Sequence, residues 1–258
     1  MKLKERIQLA LQEELQPLGF RYIKTRTTFE RNVDKNITAG LVYVADCFHH
    51  GFTDINLISL AEYHDIGEAL YKLLNKTIAK DRHFGLIYQL PWLMPLKEKQ
   101  FYIMDSSFRD SDSEDIFNKK LEKLIYQMRK YSLPTIERMS HKDSAIEVAI
   151  ELDRKDLIFQ EGVVPVMYCI WKHDKKAALD YLEEKRLRLL KRVEPWEWDL
   201  VERYRKGERF GRAVPIPNRM QYRVGEPFNA LAYDDFMGFV NKFNEWLESD
   251  MNPIRADL

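Results

Sequence analysis

The sequence predicts an α+β fold: an N-terminal helix and an antiparallel sheet of about five strands backed by helices, followed by a mostly helical C-terminal half. Near the start, large aliphatic residues recur at every fourth position, at Leu3, Ile7, Leu11 and Leu15. This spacing places them on one face of a helix, which Pro17 ends. Over residues 37–48 the apolar side chains occupy alternate positions, which is the period of a strand.

Strands dominate the prediction for the front half. The predicted strands lie at residues 20–31, 37–48, 52–60, 84–93 and 100–108. The first three are joined by short links, which favours an antiparallel meander. A helical period over residues 64–79 separates them from the last two. Pro91 restricts the fourth strand to a short piece or to an edge of the sheet.

The back half is predicted to be helical. Ser111 and Glu114 have the spacing of a capping box that opens a long helix. Pro134 interrupts the helical pattern, and a short helix is predicted after it. Ser144 and Glu147 repeat the spacing before the stretch IEVAIEL, which we interpret as a helix although its alternation also allows a strand. Further helices are predicted at residues 163–172, 174–192, 195–206 and 229–249.

Length and composition suggest how these elements are organised. A chain of 258 residues is long enough for one large domain or two small ones. We predict a sheet region over residues 1–110 and a helical region over residues 111–258, packed as one compact unit. Residues 207–228 stand apart, because they contain three glycines and three prolines and show little periodicity.

The charges balance overall but are unevenly distributed. Lys plus Arg equals Asp plus Glu, at 41 each, which argues against a uniformly basic nucleic-acid binder. Residues 163–226 contain 15 basic and 10 acidic side chains, a net of +5. Residues 227–258 contain 2 basic and 6 acidic side chains, a net of −4. Either the acidic C-terminal helix lies beside the basic stretch, or the basic stretch forms a surface for an acidic partner.

The cysteines and the apolar runs indicate a compartment. Cys47 and Cys169 both lie in apolar segments, which suits buried free thiols in a reducing environment. The N-terminus lacks the apolar core of a signal peptide. The longest nearly apolar run, residues 163–171, is about half the length of a membrane span. We therefore expect a cytoplasmic protein with no membrane partner.

The opening of the chain contains the motif L-x-P-L-G-F and, further on, an aromatic residue and an arginine: Leu15, Pro17, Leu18, Gly19, Phe20, Phe29 and Arg31. In these residues it resembles a family of bacterial domains of unknown function. The order of helix, three strands and helix continues the likeness to about residue 80, and more faintly to about residue 150. Related sequences look like parts of defence, phage or toxin-neutralising loci. The resemblance implies a binding role and assigns no catalytic residue.

Histidines and carboxylates gather near predicted strand ends. The candidate metal ligands are His49, His50, Asp54 and His64. A divalent metal needs three or four converging ligands, and such a site would suit a hydrolase or nuclease. His49 and His50 equally suit a hairpin tip, and His64 a helix start. Because the chain also lacks HExxH, CxxC, GxSxG and glycine-rich phosphate motifs, we predict no metal, cofactor or catalytic residue and keep the metal-dependent enzyme as an alternative.

Arginines and an aromatic residue concentrate in the segment 207–228. The candidate partner-binding residues are Arg209, Arg212, Arg219, Arg223 and Tyr222. Arginine and tyrosine are enriched in protein interfaces. The same composition over residues 185–223 suits nucleic acid, through phosphate contacts and base stacking, or internal pairing with acidic helices. Trp196 and Trp198, which follow the basic residues of 185–192, suit helix packing or an exposed binding surface.

From these patterns we predict a non-enzymatic protein-binding module of the immunity type, which neutralises a toxin by occluding it. Its partner would present an acidic surface to the segment 207–228. The alternatives are the metal-dependent enzyme and a nucleic-acid binder.

Overall fold

The structure is a computed structural model that describes residues 2–46, 52–74, 85–155, 162–208, 213–214, 222–223 and 227–249. The chain divides into two compact units. Unit 1 comprises Met1–Ala69 and Ile78–Ile158, and unit 2 comprises Leu70–Thr77 and Phe159–Leu258. The packing of regions 1–110 and 111–258 as one compact unit stays a prediction.

Within the described residues, unit 1 contains a six-stranded antiparallel sheet. Its strands are β1 (Arg21–Ile23), β2 (Thr28–Asn32), β3 (Ile37–Asp46), β4 (Phe52–Tyr63), β5 (Gly85–Gln89) and β6 (Ser107–Arg109). The first five follow the order β1-β2-β3-β4-β5, and β6 pairs with β4. β4 is central because β3 pairs with residues 54–63 of it, while β5 and β6 pair with different parts of its length.

Seven described helices precede, separate or follow these strands along the chain. They are α1 (Leu3–Leu15), α2 (His64–Leu73), α3 (Leu90–Leu93), α4 (Leu96–Asp105), α5 (Glu114–Gln127), α6 (Leu133–Met139) and α7 (Lys142–Asp153). A π-helical turn, Met128–Ser132, joins α5 to α6. This arrangement confirms the α+β fold class and the N-terminal helix.

The central strand β4 carries much of the core of unit 1. Alternate residues of β4 from Thr53 to Ser59 are buried, as the period of two predicts, and residues 59–63 are all buried, so both faces are covered at that end. Helices contact this strand: the Tyr63 hydroxyl donates to the carbonyl of Met139 at 2.8 Å, and the Tyr102 hydroxyl donates to the carbonyl of Ile55 at 3.1 Å. Burial raises the pKa of Tyr102 to about 12, so its hydroxyl stays a donor at neutral pH.

Two predicted strands were wrong in their extent. Residues 20–31 form a hairpin, because the chain turns between β1 and β2 and Thr27 adopts a left-handed conformation with φ of 50°. The strand predicted over 84–93 ends at Gln89, and Pro91 lies in the first turn of α3, where a missing N–H costs nothing.

The strand predicted over residues 100–108 was also wrong. Most of it belongs to α4, and only Ser107 and Phe108 lie in β6. A short apolar run such as FYIM does not by itself distinguish a strand from a helix. Pro95 is the N-cap of α4, a position where proline's fixed φ and missing N–H are compatible with the start of a helix.

The caps predicted in the back half also need correction. Ser113, and not Ser111, caps α5, and its Oγ accepts the amide of Ile116 at 3.4 Å. Ser144 lies inside α7, where its Oγ donates to the carbonyl of Arg138 at 2.7 Å. Pro134 does not break the helix, since the π-helical turn precedes it, but the short helix predicted near it is present as α6. The stretch IEVAIEL is helical, as expected.

Unit 2 is mostly helical in its described part. Its elements are α8 (Val163–Lys172), α9 (Lys175–Leu190), α10 (Pro195–Arg205), β7 (Ala213–Val214), β8 (Tyr222–Arg223) and α11 (Phe228–Ser249). The four predicted helices are confirmed to within two residues at each end. Across the described ranges of the chain, none of the helices is long and apolar enough to cross a membrane.

The acidic helix α11 packs against the basic helix α9 and against α10, so the acidic C-terminal helix lies beside part of the basic stretch, as one of the two interpretations predicted. The Nη2 atom of Arg205 in α10 lies 2.5 Å from Oδ2 of Asp234 in α11. Cys169 of α8 is a buried free thiol, as predicted, and burial raises its pKa to about 11. Cys47 lies outside the described residues.

Gly162 allows the backbone before α8 to lie close to α11. Gly162 precedes α8 with φ of 91°, a conformation that side chains disfavour. A Cβ at this position would lie 2.5 Å from Cε2 of Phe239. Backbone geometry and close packing therefore both require glycine.

We expect Gly162→Ala to lower the free energy of unfolding by about 2–4 kcal/mol, from left-handed strain and overpacking. The matched control is Gly238→Ala inside α11, where nothing lies within 4 Å of the new Cβ. That variant should gain up to about 1 kcal/mol from helix propensity. Urea denaturation measures both, and equal effects of the two changes would contradict the packing of Gly162 against Phe239.

Candidate protein-binding surface

The structure locates part of the predicted arginine segment. Tyr222 and Arg223 form β8, which pairs with β7 in the register Val214↔Tyr222 and Ala213↔Arg223. The predicted loop therefore contains a small antiparallel pair of strands. Arg209, Arg212 and Arg219 lie outside the described residues, so their role stays a prediction.

The basic run before this segment already has partners within unit 2. Lys185 is buried, with Nζ 5.5 Å from the ring centroid of Phe236. The Arg186 guanidinium donates to Glu183 at 2.7 Å and to the Tyr233 hydroxyl at 3.4 Å. These cations are engaged internally, which leaves fewer charges here for the phosphates of a nucleic acid.

The start of α10 inverts the usual distribution of polarity. Glu197 is 1% exposed, whereas its neighbours Trp196 and Trp198 are 45% and 41% exposed. Acidic side chains are almost never fully buried unless they are paired. A buried carboxylate between two exposed tryptophans is therefore the most informative feature of this helix.

Hydrogen bonds explain why Glu197 is inside. Its Oε2 accepts the amide of Glu194 at 2.8 Å, and its Oε1 accepts the amide of Asn229 at 2.9 Å. One carboxylate thus satisfies amides at the starts of both α10 and α11, which have no partners within their own helices. The side-chain amide of Asn229 adds longer contacts of 3.3 and 3.4 Å.

This anchor leaves the tryptophans on the outside. Trp198 packs edge-on against Tyr233 of α11, with ring centroids 5.6 Å apart. Tyr233 also accepts the hydrogen bond from Arg186, and Leu190 lies one helical turn after Arg186. We call Arg186, Leu190, Trp196, Trp198 and Tyr233 the tryptophan surface. Contacts join Arg186, Tyr233 and Trp198, and Trp196 is an exposed ring two residues before Trp198 on the same helix. It combines aromatic rings, an aliphatic side chain and a guanidinium on α9, α10 and α11.

The sequence contains a signal for this arrangement that apolar periodicity alone does not reveal. Glu194 and Glu197 are three residues apart and flank Pro195, which is the spacing of a capping box at a helix start. The cap places Glu197 inward, and the neighbouring tryptophans consequently point elsewhere. Sequence reasoning placed the binding residues in the segment 207–228 and left the tryptophans as helix anchors or exposed residues.

The described candidate metal ligands do not converge. Asp54 lies near the beginning of β4 and His64 directly after its end, so ten residues of strand separate them by about 33 Å. The Nε2 of His64 lies 3.3 Å from the Thr38 hydroxyl. Across the residues that the structure describes, no group of His, Cys, Asp or Glu is arranged to hold a metal ion. His49 and His50 lie outside that part.

Comparisons of the chain with protein-family models, with curated proteins and with solved structures give no match. The resemblance to a bacterial family therefore stays a prediction, and the case for a site depends on the geometry of the chain itself.

We expect Glu197→Ala to lower the free energy of unfolding by about 1–3 kcal/mol, because buried amides at two helix starts lose their acceptor. The matched control is Glu202→Ala on the exposed part of the same helix, which should change stability by less than about 0.5 kcal/mol. Denaturant titrations of both variants measure the difference. Equal stability of the two variants would show that Glu197 does not anchor α10.

Proposed function

We propose that the chain is a non-enzymatic protein-binding module whose partner presents an acidic surface. The observation that supports this proposal is the inverted start of α10, where Glu197 is buried and Trp196 and Trp198 are exposed. Exposed tryptophans together with tyrosine and arginine have the composition of binding hot spots. The tryptophan surface would supply the anchors, and the arginine segment would supply the charge.

Charge supports an acidic partner. Residues 163–226 have a net charge of +5, and the predicted contact residues Arg209, Arg212, Arg219 and Arg223 with Tyr222 belong to this stretch. Complementary charges accelerate encounter and exclude partners of the wrong sign. Aromatic anchors then slow dissociation, because fully desolvated hot spots contribute most of the binding energy.

A toxin-neutralising role fits this proposal. An immunity-type protein that occludes its target needs affinity for the target and a complementary surface, and it needs no catalytic residue. The support for this class is the resemblance of the N-terminal region to domains found in defence and toxin-neutralising loci.

The same geometry favours a protein over a nucleic acid as the partner. Lys185 and Arg186 contact aromatic and acidic groups of unit 2, and Arg205 pairs with Asp234. A nucleic-acid binder would instead keep such cations available along one groove. The metal-dependent enzyme has less support, because Asp54 and His64 lie at opposite ends of β4.

The test is capture by the tagged chain from its native cells, followed by reconstitution with the purified candidate. We expect one stoichiometric acidic protein, and at least about thirtyfold weaker binding by the double variant Trp196→Ala/Trp198→Ala, as loss of a hot spot of about 2 kcal/mol implies. The charge reversal Arg212→Glu/Arg219→Glu should abolish capture.

The matched control is Phe101→Ala/Tyr126→Ala, which removes two exposed aromatic rings from unit 1. This variant should bind like the unmodified chain, and thermal unfolding should show that all three variants are folded. Full capture by the tryptophan variant would contradict the tryptophan surface. Recovery of nucleic acid that nuclease treatment removes, without a protein partner, would overturn the proposal.

A further inference from the structure

A π-helical turn in unit 1 shapes a pocket that the protein-binding proposal does not use. Proline has no N–H, and its ring collides with the carbonyl four residues earlier in a regular helix. The wider turn over Met128–Ser132 accommodates Pro134 and lets the chain continue into α6. Turns of this type occur frequently at functional sites.

The pocket lies beside this turn and has a volume of about 250 Å³. Val148 and Leu152 of α7 contribute buried apolar side chains, and the half-buried rings of Trp92 and Tyr131 also line it. At about 30 Å³ per water molecule, the space equals about eight waters. A ligand of about ten non-hydrogen atoms with an apolar or aromatic body therefore fits.

The polar lining is mainly cationic. Lys130, Arg138 and Lys155 line the pocket, and Glu151 is the acidic residue among the lining residues. The Arg138 guanidinium donates to both carboxylate oxygens of Glu151, at 2.8 and 3.3 Å. This ion pair holds the pKa of Glu151 below its usual range, so Glu151 is ionised at neutral pH.

The other cations of the lining determine which ligand charge the pocket favours. Lys130 pairs with Glu98, at 2.9 Å, but Glu98 does not line the pocket. With Lys130 paired to Glu98 and Arg138 paired to Glu151, Lys155 gives the lining its excess positive charge, which disfavours a metal ion or an amine and favours an anion. A guanidinium also matches the planar geometry of a carboxylate.

We infer that this pocket binds a small organic carboxylate with an aromatic or short aliphatic body. The apolar body would lie against Val148, Leu152 and Trp92. The carboxylate would lie at the rim, near Arg138 and Lys155.

Benzoate tests this inference, and its neutral and cationic analogues, benzyl alcohol and benzylamine, are matched probes. Saturation-transfer NMR and calorimetry on the full chain should show saturable benzoate binding with a Kd of roughly millimolar, typical for about nine non-hydrogen atoms at modest efficiency. Benzyl alcohol should bind more weakly, and benzylamine should not bind.

Two variants distinguish the effect of charge at the pocket rim on benzoate affinity from the effect of the Arg138–Glu151 ion pair. Arg138→Gln and Glu151→Gln remove the same pair but change the rim charge in opposite directions. We expect Arg138→Gln to weaken benzoate binding about fivefold, the size of an exposed charge interaction, and Glu151→Gln to strengthen it or leave it unchanged. Lys97→Gln, on the exposed surface of α4 outside the pocket, is the control.

The inference would be overturned by absent or non-saturable benzoate binding, or by benzylamine binding as tightly as benzoate. It would also be overturned if Arg138→Gln and Glu151→Gln both weakened benzoate binding or both strengthened it. The ion pair, and not the charge at the pocket rim, would then control binding. None of these outcomes bears on the tryptophan surface.

Discussion

The buried carboxylate of Glu197 determines the geometry of the proposed binding surface. Burying a carboxylate is costly unless hydrogen bonds replace its water, and here the amides of Glu194 and Asn229 do so at 2.8 and 2.9 Å. These bonds fix the start of α10 to the start of α11. Because the charged side chain occupies the inner position, Trp196 and Trp198 are left half exposed, with Trp198 against Tyr233. The exposure of the two tryptophans is thus a consequence of this polar anchor.

Unit 1 depends on a different constraint, the long central strand β4. β3 pairs along most of one edge of this strand, while β5 and β6 share the other edge. Its side chains are buried at alternate positions from Thr53 to Ser59, and at every position from Ser59 to Tyr63. The π-helical turn between α5 and α6 is set by Pro134, and the pocket beside it is a by-product of that local geometry.

Elements with a strong and unambiguous period were predictable from sequence. The apolar stripe of α1 and the alternation of β3 gave both the type and the approximate bounds of each element. The prediction failed where the local signal fits two structures, as in the apolar run of α4, or where one residue turns the chain, as Thr27 does between β1 and β2. The tryptophan surface could not be predicted by counting apolar residues, because a tryptophan is expected inside. The capping-box spacing of Glu194 and Glu197 is the sequence signal, and the burial and contacts of Glu197 show that the polarity of α10 is inverted.

The most direct test of this inversion is hydroxyl-radical footprinting of the free chain, read by mass spectrometry at each tryptophan. Trp246 of α11 is 7% exposed and serves as the buried reference within the same unit. The structure predicts that Trp196 and Trp198 are oxidised several-fold faster than Trp246. Oxidation of Trp196 and Trp198 as slow as that of Trp246 would place both rings inside and would contradict the proposed surface.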